Sequence, residues 1–104
     1  MKVAYLEPAK RDFERFRDFL RANDLPEDTI NHILGGVIDK ISALKDSPML
    51  GFSIGARYGY QTSYRGYITD PYIAVYEIAG DTVEIRRVYH QKEDYIRDIL
   101  VLEP

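Results

Sequence analysis

Cysteine is absent from this chain of 104 residues. Disulfides, thiolate metal sites and a thiol nucleophile are therefore excluded, and a reducing, cytoplasmic compartment is the expected home. Histidine is scarce: His32 and His90 stand alone, without ligand spacing, so no metal site is expected. No apolar run is long enough to span a membrane. The opening MKVAYLEPAKRD lacks the apolar core of a signal peptide. Gly35-Gly36 and the series Gly51, Gly55, Gly59 lack the flanks of a phosphate-binding loop, and no serine sits in a nucleophile elbow. No cofactor is expected. Positive charge is also short. The net charge is −3, whereas proteins that grip phosphate backbones are usually basic. Basic side chains are in excess only over the first 22 residues, so a local basic patch is possible but a globally basic field is not.

What is present supports one domain with a real core, since 45% of residues are hydrophobic and 12% aromatic. KVAYLE (2–7) reads as a strand. Pro8 suits the first position of a helix over 8–22, with Ala9, Phe13, Phe16 and Leu20 on one face. Asp24 and Pro26 mark a turn into a second helix reaching about Lys45, with a stripe of Ile30, Ile33, Leu34, Val37, Ile41 and Leu44. Gly35-Gly36 interrupts it. Each glycine costs about 1 kcal/mol against alanine there, which predicts a close packing contact or a helix break. After Gly51 the period becomes two. Turn signals at Asp70-Pro71 and Gly80-Asp81 cut strands near 52–60, 63–69, 72–79 and 82–89, an antiparallel meander. Residues 90–100 read as a terminal helix. The predicted class is α+β, in the order β-α-α-β-β-β-β-α, with two helices on one face of a twisted antiparallel sheet.

Alternation sets Ser63, Arg65, Tyr67 and Thr69 on one face, opposite Tyr64, Gly66 and Ile68. At least one of Arg86 and Arg87 is expected to share a face with Arg65, and Arg57 to join from the preceding strand. Several guanidinium forks on one face would make an anion site. The competing reading is a set of solvated or cross-strand paired arginines near Glu77 and Glu84. His90 and Tyr95 flank QKED and have the chemistry for proton transfer; a surface histidine and a packing tyrosine are the plainer alternative. Arginine and aromatic enrichment also suits a protein–protein interface, which needs no catalysis.

Four stretches together resemble one family: YLEPAKRDFERFRDFL, ISALKDSPMLG, SYRGYI…YIAVYEI and VEIRRVYHQKEDYIRDIL. The chain is similar to the RelE/ParE superfamily, toxins of bacterial type II toxin–antitoxin modules. The resemblance implies two N-terminal helices on a twisted antiparallel sheet, and a cognate antitoxin as partner. It also implies one of two activities. RelE-like members cleave mRNA in the ribosomal A site, without metal, using basic and acid–base side chains on the concave sheet face. ParE-like members lack that set and poison DNA gyrase. On the RelE-like branch the catalytic positions would be Arg65, Arg87, His90 and Tyr95. On either branch, Arg57, Arg65, Tyr67, Arg87 and Tyr95 are candidates for target or antitoxin binding, with the terminal helix as a second contact. The acidic balance, the missing lysines on the first meander strand and the HQKEDY ending favour the ParE-like branch; a member with only an interaction role is the third reading.

Overall fold

A computed structural model describes residues 1–59 and 61–102. Strand β1 (Lys2–Tyr5) leads into helices α1 (Glu7–Ala22) and α2 (Glu27–Ile41), then a 3-10 turn over Ser42–Lys45. Strand β2 (Phe52–Ser53) and helix α3 (Ile54–Tyr58) precede β3 (Arg65–Ile68), β4 (Tyr72–Ala79) and β5 (Thr82–His90), and helix α4 (Tyr95–Leu102) follows. Pro8 lies in the first turn of α1, where its missing N–H is harmless. At the other end the Asn23 side-chain amide donates to the Phe19 carbonyl at 2.8 Å, and Asp24 adopts a left-handed φ of 62°. The chain thus reverses within a few residues, and the Ile30 N–H donates to the Pro26 carbonyl to start α2.

Gly35-Gly36 neither breaks α2 nor marks a close contact. The helix runs unbroken through both, and a Cβ at either position would meet nothing within 4 Å.

The sheet has five strands in the order β1-β5-β4-β3-β2. The meander strands pair antiparallel, but β1 lies parallel to β5, so the sheet is mixed rather than wholly antiparallel. The helical hairpin causes this: it returns the chain to the far side before β5 comes alongside β1.

The expected strand over 52–60 is overturned. Only Phe52 and Ser53 pair with β3; the chain then turns into α3. The Ser53 hydroxyl accepts from the Ala56 N–H at 3.1 Å, and Gly59 at φ 77° closes the helix. These two caps override the period-two pattern. Tyr60, the end of that expected strand, lies outside the described residues. The terminal helix begins five residues later than expected, because β5 continues through His90.

A bulge divides β5. Val75 pairs with Arg87 and Tyr76 with Ile85, leaving Arg86 as an extra residue. Val83, Ile85 and Val88 therefore share one core with Ala74, Tyr76 and the stripes of α1 and α2. Tyr89 joins a second core on the opposite face, with Ile54, Tyr64, Ile73, Val75 and Ile99. Helices α3 and α4 close that second face.

Candidate functional site

Arg65 sits on β3 opposite Tyr76, on the face of α1 and α2, and Tyr67 shares that face, as alternation predicts. Its guanidinium is not presented outward. Arg65 Nη2 donates to the Met49 carbonyl at 3.3 Å and to the Gly51 carbonyl. Tyr76, fully buried beside it, completes the clamp: its hydroxyl donates to the Pro48 carbonyl at 2.7 Å and accepts from the Gly51 N–H at 3.0 Å. A Cβ on Gly51 would stand 2.6 Å from Tyr76 Oη and 2.7 Å from the Gly66 carbonyl oxygen, so only glycine lets the loop approach this closely. Tyr67, two residues on, packs half-buried against the first core.

Arg86 and Arg87 do not share a face with Arg65. The bulge turns both toward the second core. Arg86 lies 5.7 Å from the centre of the Tyr64 ring, and Arg87 lies 4.7 Å from that of Tyr89. Arg86 bonds Glu77, whose other oxygen accepts from Ser63, and it lies 3.8 Å from Glu84. This is the cross-strand pairing that competed with the anion-site reading.

Arg87 is held by a buried carboxylate. Asp12 accepts from Arg87 Nε at 2.7 Å, from Arg87 Nη2 at 2.9 Å and from the Val88 N–H at 2.9 Å. The reason is topological. β1 pairs with β5 only as far as Ile85, where the Leu6 N–H takes the last carbonyl. Beyond that point β5 has an unpaired edge, and Asp12 from α1 satisfies the Val88 N–H in place of a strand. The hydrogen bonds to Asp12 raise the Arg87 pKa against the lowering effect of burial. Asp12 is not among the candidates read from the sequence; the signal was a carboxylate three residues after Ala9 and four before Phe16, on the apolar face of α1.

His90 and Tyr95 are separated by the sheet. The His90 ring meets Tyr72 edge-on at 5.6 Å, on the α1 and α2 side, and its Nδ1 accepts from the Lys92 N–H at 3.1 Å. Tyr95 starts α4 on the other side and packs 6.0 Å from Tyr89. Burial pushes the Tyr89 phenol well above its ordinary range. Arg57 rides on α3 with its guanidinium 3.8 Å above the Phe52 ring. Thus Arg65 and His90 belong to one face of the sheet, and Arg87 and Tyr95 pack toward the other. The predicted residues form no common site. Among the described residues, no three histidines or carboxylates gather to hold a metal.

A groove of about 770 Å³ opens elsewhere. Phe16, Phe19 and Leu20 of α1, Ile33 of α2 and the Pro71–Tyr72 start of β4 give it an apolar floor. Arg15, His90, Lys92 and Glu93 rim it. Arg15 is tied to Glu93 at 3.3 Å, and Glu93 also accepts from the His90 N–H. Phe19 stands 65% exposed at its edge. The signal in the sequence was a phenylalanine one residue off the helical stripe.

This layered arrangement is that of the bacterial type II toxins with a helical hairpin on a twisted sheet. It superimposes on the toxin–antitoxin structure described as the chromosomal ParDE system from P. aeruginosa with a TM-score of 0.73, at 13% identity, covering 86% of this chain and 95% of that one. It resembles the RelBE2 toxin–antitoxin complex from Mycobacterium tuberculosis with a TM-score of 0.56, at 19% identity over the same shares. A direct sequence comparison with curated proteins finds no match. The family of ParE toxins of type II toxin–antitoxin systems, parDE, matches residues 3–95, and the chain belongs to that family. It is a type II toxin of the ParE/RelE superfamily.

Proposed function

We propose that the chain is neutralised by an antitoxin seated in the groove beside Phe19, and that it acts in the cytoplasm by binding DNA gyrase rather than by cutting mRNA. One observation carries the choice between activities. The two arginines a ribonuclease would turn to a phosphate are already engaged, Arg65 by the Met49 and Gly51 carbonyls and Arg87 by Asp12. General acid–base catalysis needs its groups within hydrogen-bond reach of one reacting centre, and His90 and Tyr95 lie on opposite sides of the sheet. A poison needs no such convergence; it needs a surface with a few anchors. For the antitoxin, the groove offers an apolar floor and a rim on which Arg15 and Lys92 outnumber Glu93, which fits an amphipathic segment with apolar anchors and a carboxylate.

The test uses purified protein. With gyrase, inhibited supercoiling and trapped cleavage complexes at micromolar toxin are expected. No effect on gyrase, together with specific mRNA cuts on translating ribosomes, overturns the gyrase reading. Phe19→Asp, an exposed position, is expected to weaken binding of the antitoxin encoded beside the gene at least tenfold; unchanged affinity removes the groove from the antitoxin interface.

A further inference from the structure

The clamp built by Arg65 and Tyr76 has an unusual product. It fixes the backbone of residues 48–51 through two carbonyls on Arg65 and a donor and an acceptor on Tyr76. Yet the two side chains at the middle of this fixed loop point outward: Met49 is 64% and Leu50 is 53% exposed. A loop that served only to connect would leave its polar residues outside. Here a half-buried arginine and a buried tyrosine immobilise two large apolar side chains in water. Ile68, 49% exposed, stands nearby: Leu50, Tyr67 and Ile68 line one shallow depression of about 330 Å³, together with Phe52 and Arg57.

Charge identifies the kind of partner. Arg15, Arg17, Arg21, Arg86, Arg87 and Arg97 each lie within salt-bridge distance of a carboxylate. Arg11, Arg57 and Arg65 have no carboxylate partner among the described residues; of these Arg57 alone lines the depression, where its guanidinium stacks on Phe52. No residue lines both this depression and the groove beside Phe19.

We propose that Met49 and Leu50 are apolar anchors that enter the toxin's target protein, with Arg57 closing on an acidic residue beside them. The fitting target surface is an apolar slot edged by carboxylates. This rests on the reading that the chain acts by binding a protein. Preorganisation is the physical advantage: anchors already held in place lose little conformational entropy on binding. The buried Tyr76 and half-buried Arg65 behind the loop set its geometry, while the contact energy falls on a few exposed side chains.

The experiment compares Leu50→Asp, Met49→Ser and Arg57→Glu with the unaltered chain, each co-expressed with its antitoxin and purified. Thermal unfolding checks the fold, and these exposed positions are expected to leave it unchanged. The readouts are antitoxin affinity, growth arrest on induction without antitoxin, and inhibition of gyrase supercoiling. The expected result is antitoxin affinity within twofold of the unaltered chain, with growth arrest lost and at least tenfold more Leu50→Asp or Arg57→Glu protein needed against gyrase. Arg57→Lys is expected to keep most of the effect. Undiminished growth arrest by these variants overturns the proposal. So does a parallel tenfold loss of antitoxin affinity, which would assign the loop to the antitoxin. If the unaltered chain arrests growth without touching gyrase, and the variants do not arrest growth, the gyrase reading fails and the anchor loop stands. Absence of growth arrest by the unaltered chain overturns both.

Discussion

The two faces of the sheet bury similar side chains with different polar support. Under α1 and α2, Tyr76 is fully buried and its hydroxyl both donates and accepts. Asp12, on the same helical layer, takes four hydrogen bonds, three from β5 and one from Arg15. On the other face Tyr89 is equally buried, and among the described residues its hydroxyl has no partner. That face is covered by two short helices, α3 and α4, and α4 meets the core through Tyr95, Ile96 and Ile99. One face is fixed by directed bonds that also set strand register. The other has its directed bonds at the Ser63–Glu77–Arg86 cluster, while Tyr89 and Ile99 at its centre are held by apolar contact, which is strong but less particular about position. The surfaces offered to partners follow the first kind of support: the fixed 48–51 loop and the groove beside Phe19 both lie against the α1 and α2 layer.

The largest effect is expected from breaking the directed side. Asp12→Ala leaves the Val88 N–H without its acceptor and Arg87 without its main counter-charge. Removing one member of a buried pair costs about 3–5 kcal/mol. Because Arg87 is 21% exposed and can turn toward water or toward Asp98 at 3.8 Å, about 3 kcal/mol is expected. Urea unfolding measures it. Asp12→Asn, which keeps an acceptor for Val88, is expected to recover part of the loss; equal losses for both variants would mean that the strand-edge bond contributes nothing.

Breaking the apolar side comes next. Ile99 is fully buried and is α4's deepest contact. Ile99→Ala is expected to cost about 2–4 kcal/mol by lost burial and the cavity left behind. Limited proteolysis is expected to cut within residues 95–102 before it cuts α1. Cleavage appearing first in α1 would reverse the ranking of the two faces.

The tyrosines sharpen the comparison directly, because the same substitution meets opposite surroundings. Tyr76→Phe orphans the Pro48 carbonyl and the Gly51 N–H and is expected to cost about 1–3 kcal/mol. Tyr89→Phe removes a hydroxyl that has no partner among the described residues and is expected to be neutral or to stabilise by about 1 kcal/mol. Thermal unfolding of the pair measures both. A loss for Tyr89→Phe equal to that for Tyr76→Phe would show that the hydroxyl has a partner in solution.

The same contrast explains what could be read from the sequence. The apolar periods of α1, α2, β4 and β5 survive folding because burial of a stripe is a local pattern with a global consequence, and the family resemblance rested on those stretches. The placement of the candidate site residues was less legible. Alternation placed Arg65 and Tyr67 on one shared face, but nothing in the spacing told that Arg65 would turn to the Met49 and Gly51 carbonyls. One bulged residue, Arg86, moved Arg87 off its expected face. A serine cap and a left-handed glycine outweighed five residues of alternation and lifted Arg57 from a strand onto α3. Asp12 shows in the sequence as a carboxylate on an apolar stripe, but its partner does not: β1 stops pairing at Ile85, three residues short of Val88, a fact of topology that no local window contains.

The smallest expected effect tests the outer side of the α1 and α2 layer, where directed bonds give way to open space. Gly35 and Gly36 lie inside α2, and a Cβ at either would touch nothing. Neither has a left-handed φ that would demand glycine, since the left-handed glycines among the described residues are Gly59 and Gly80. Alanine then keeps the native backbone, narrows the unfolded ensemble and raises helix propensity. Each of Gly35→Ala and Gly36→Ala is expected to stabilise by about 0.4–1 kcal/mol, with near-additive gains in the double variant if both positions are free. Thermal unfolding of the isolated chain gives that number. Repeating the measurement on the antitoxin complex separates stability from recognition. A gain in the free chain that persists in the complex means the pair faces water in both. A gain in the free chain with weakened antitoxin binding means the partner's backbone approaches the helix there, and the glycines then serve the complex rather than the fold.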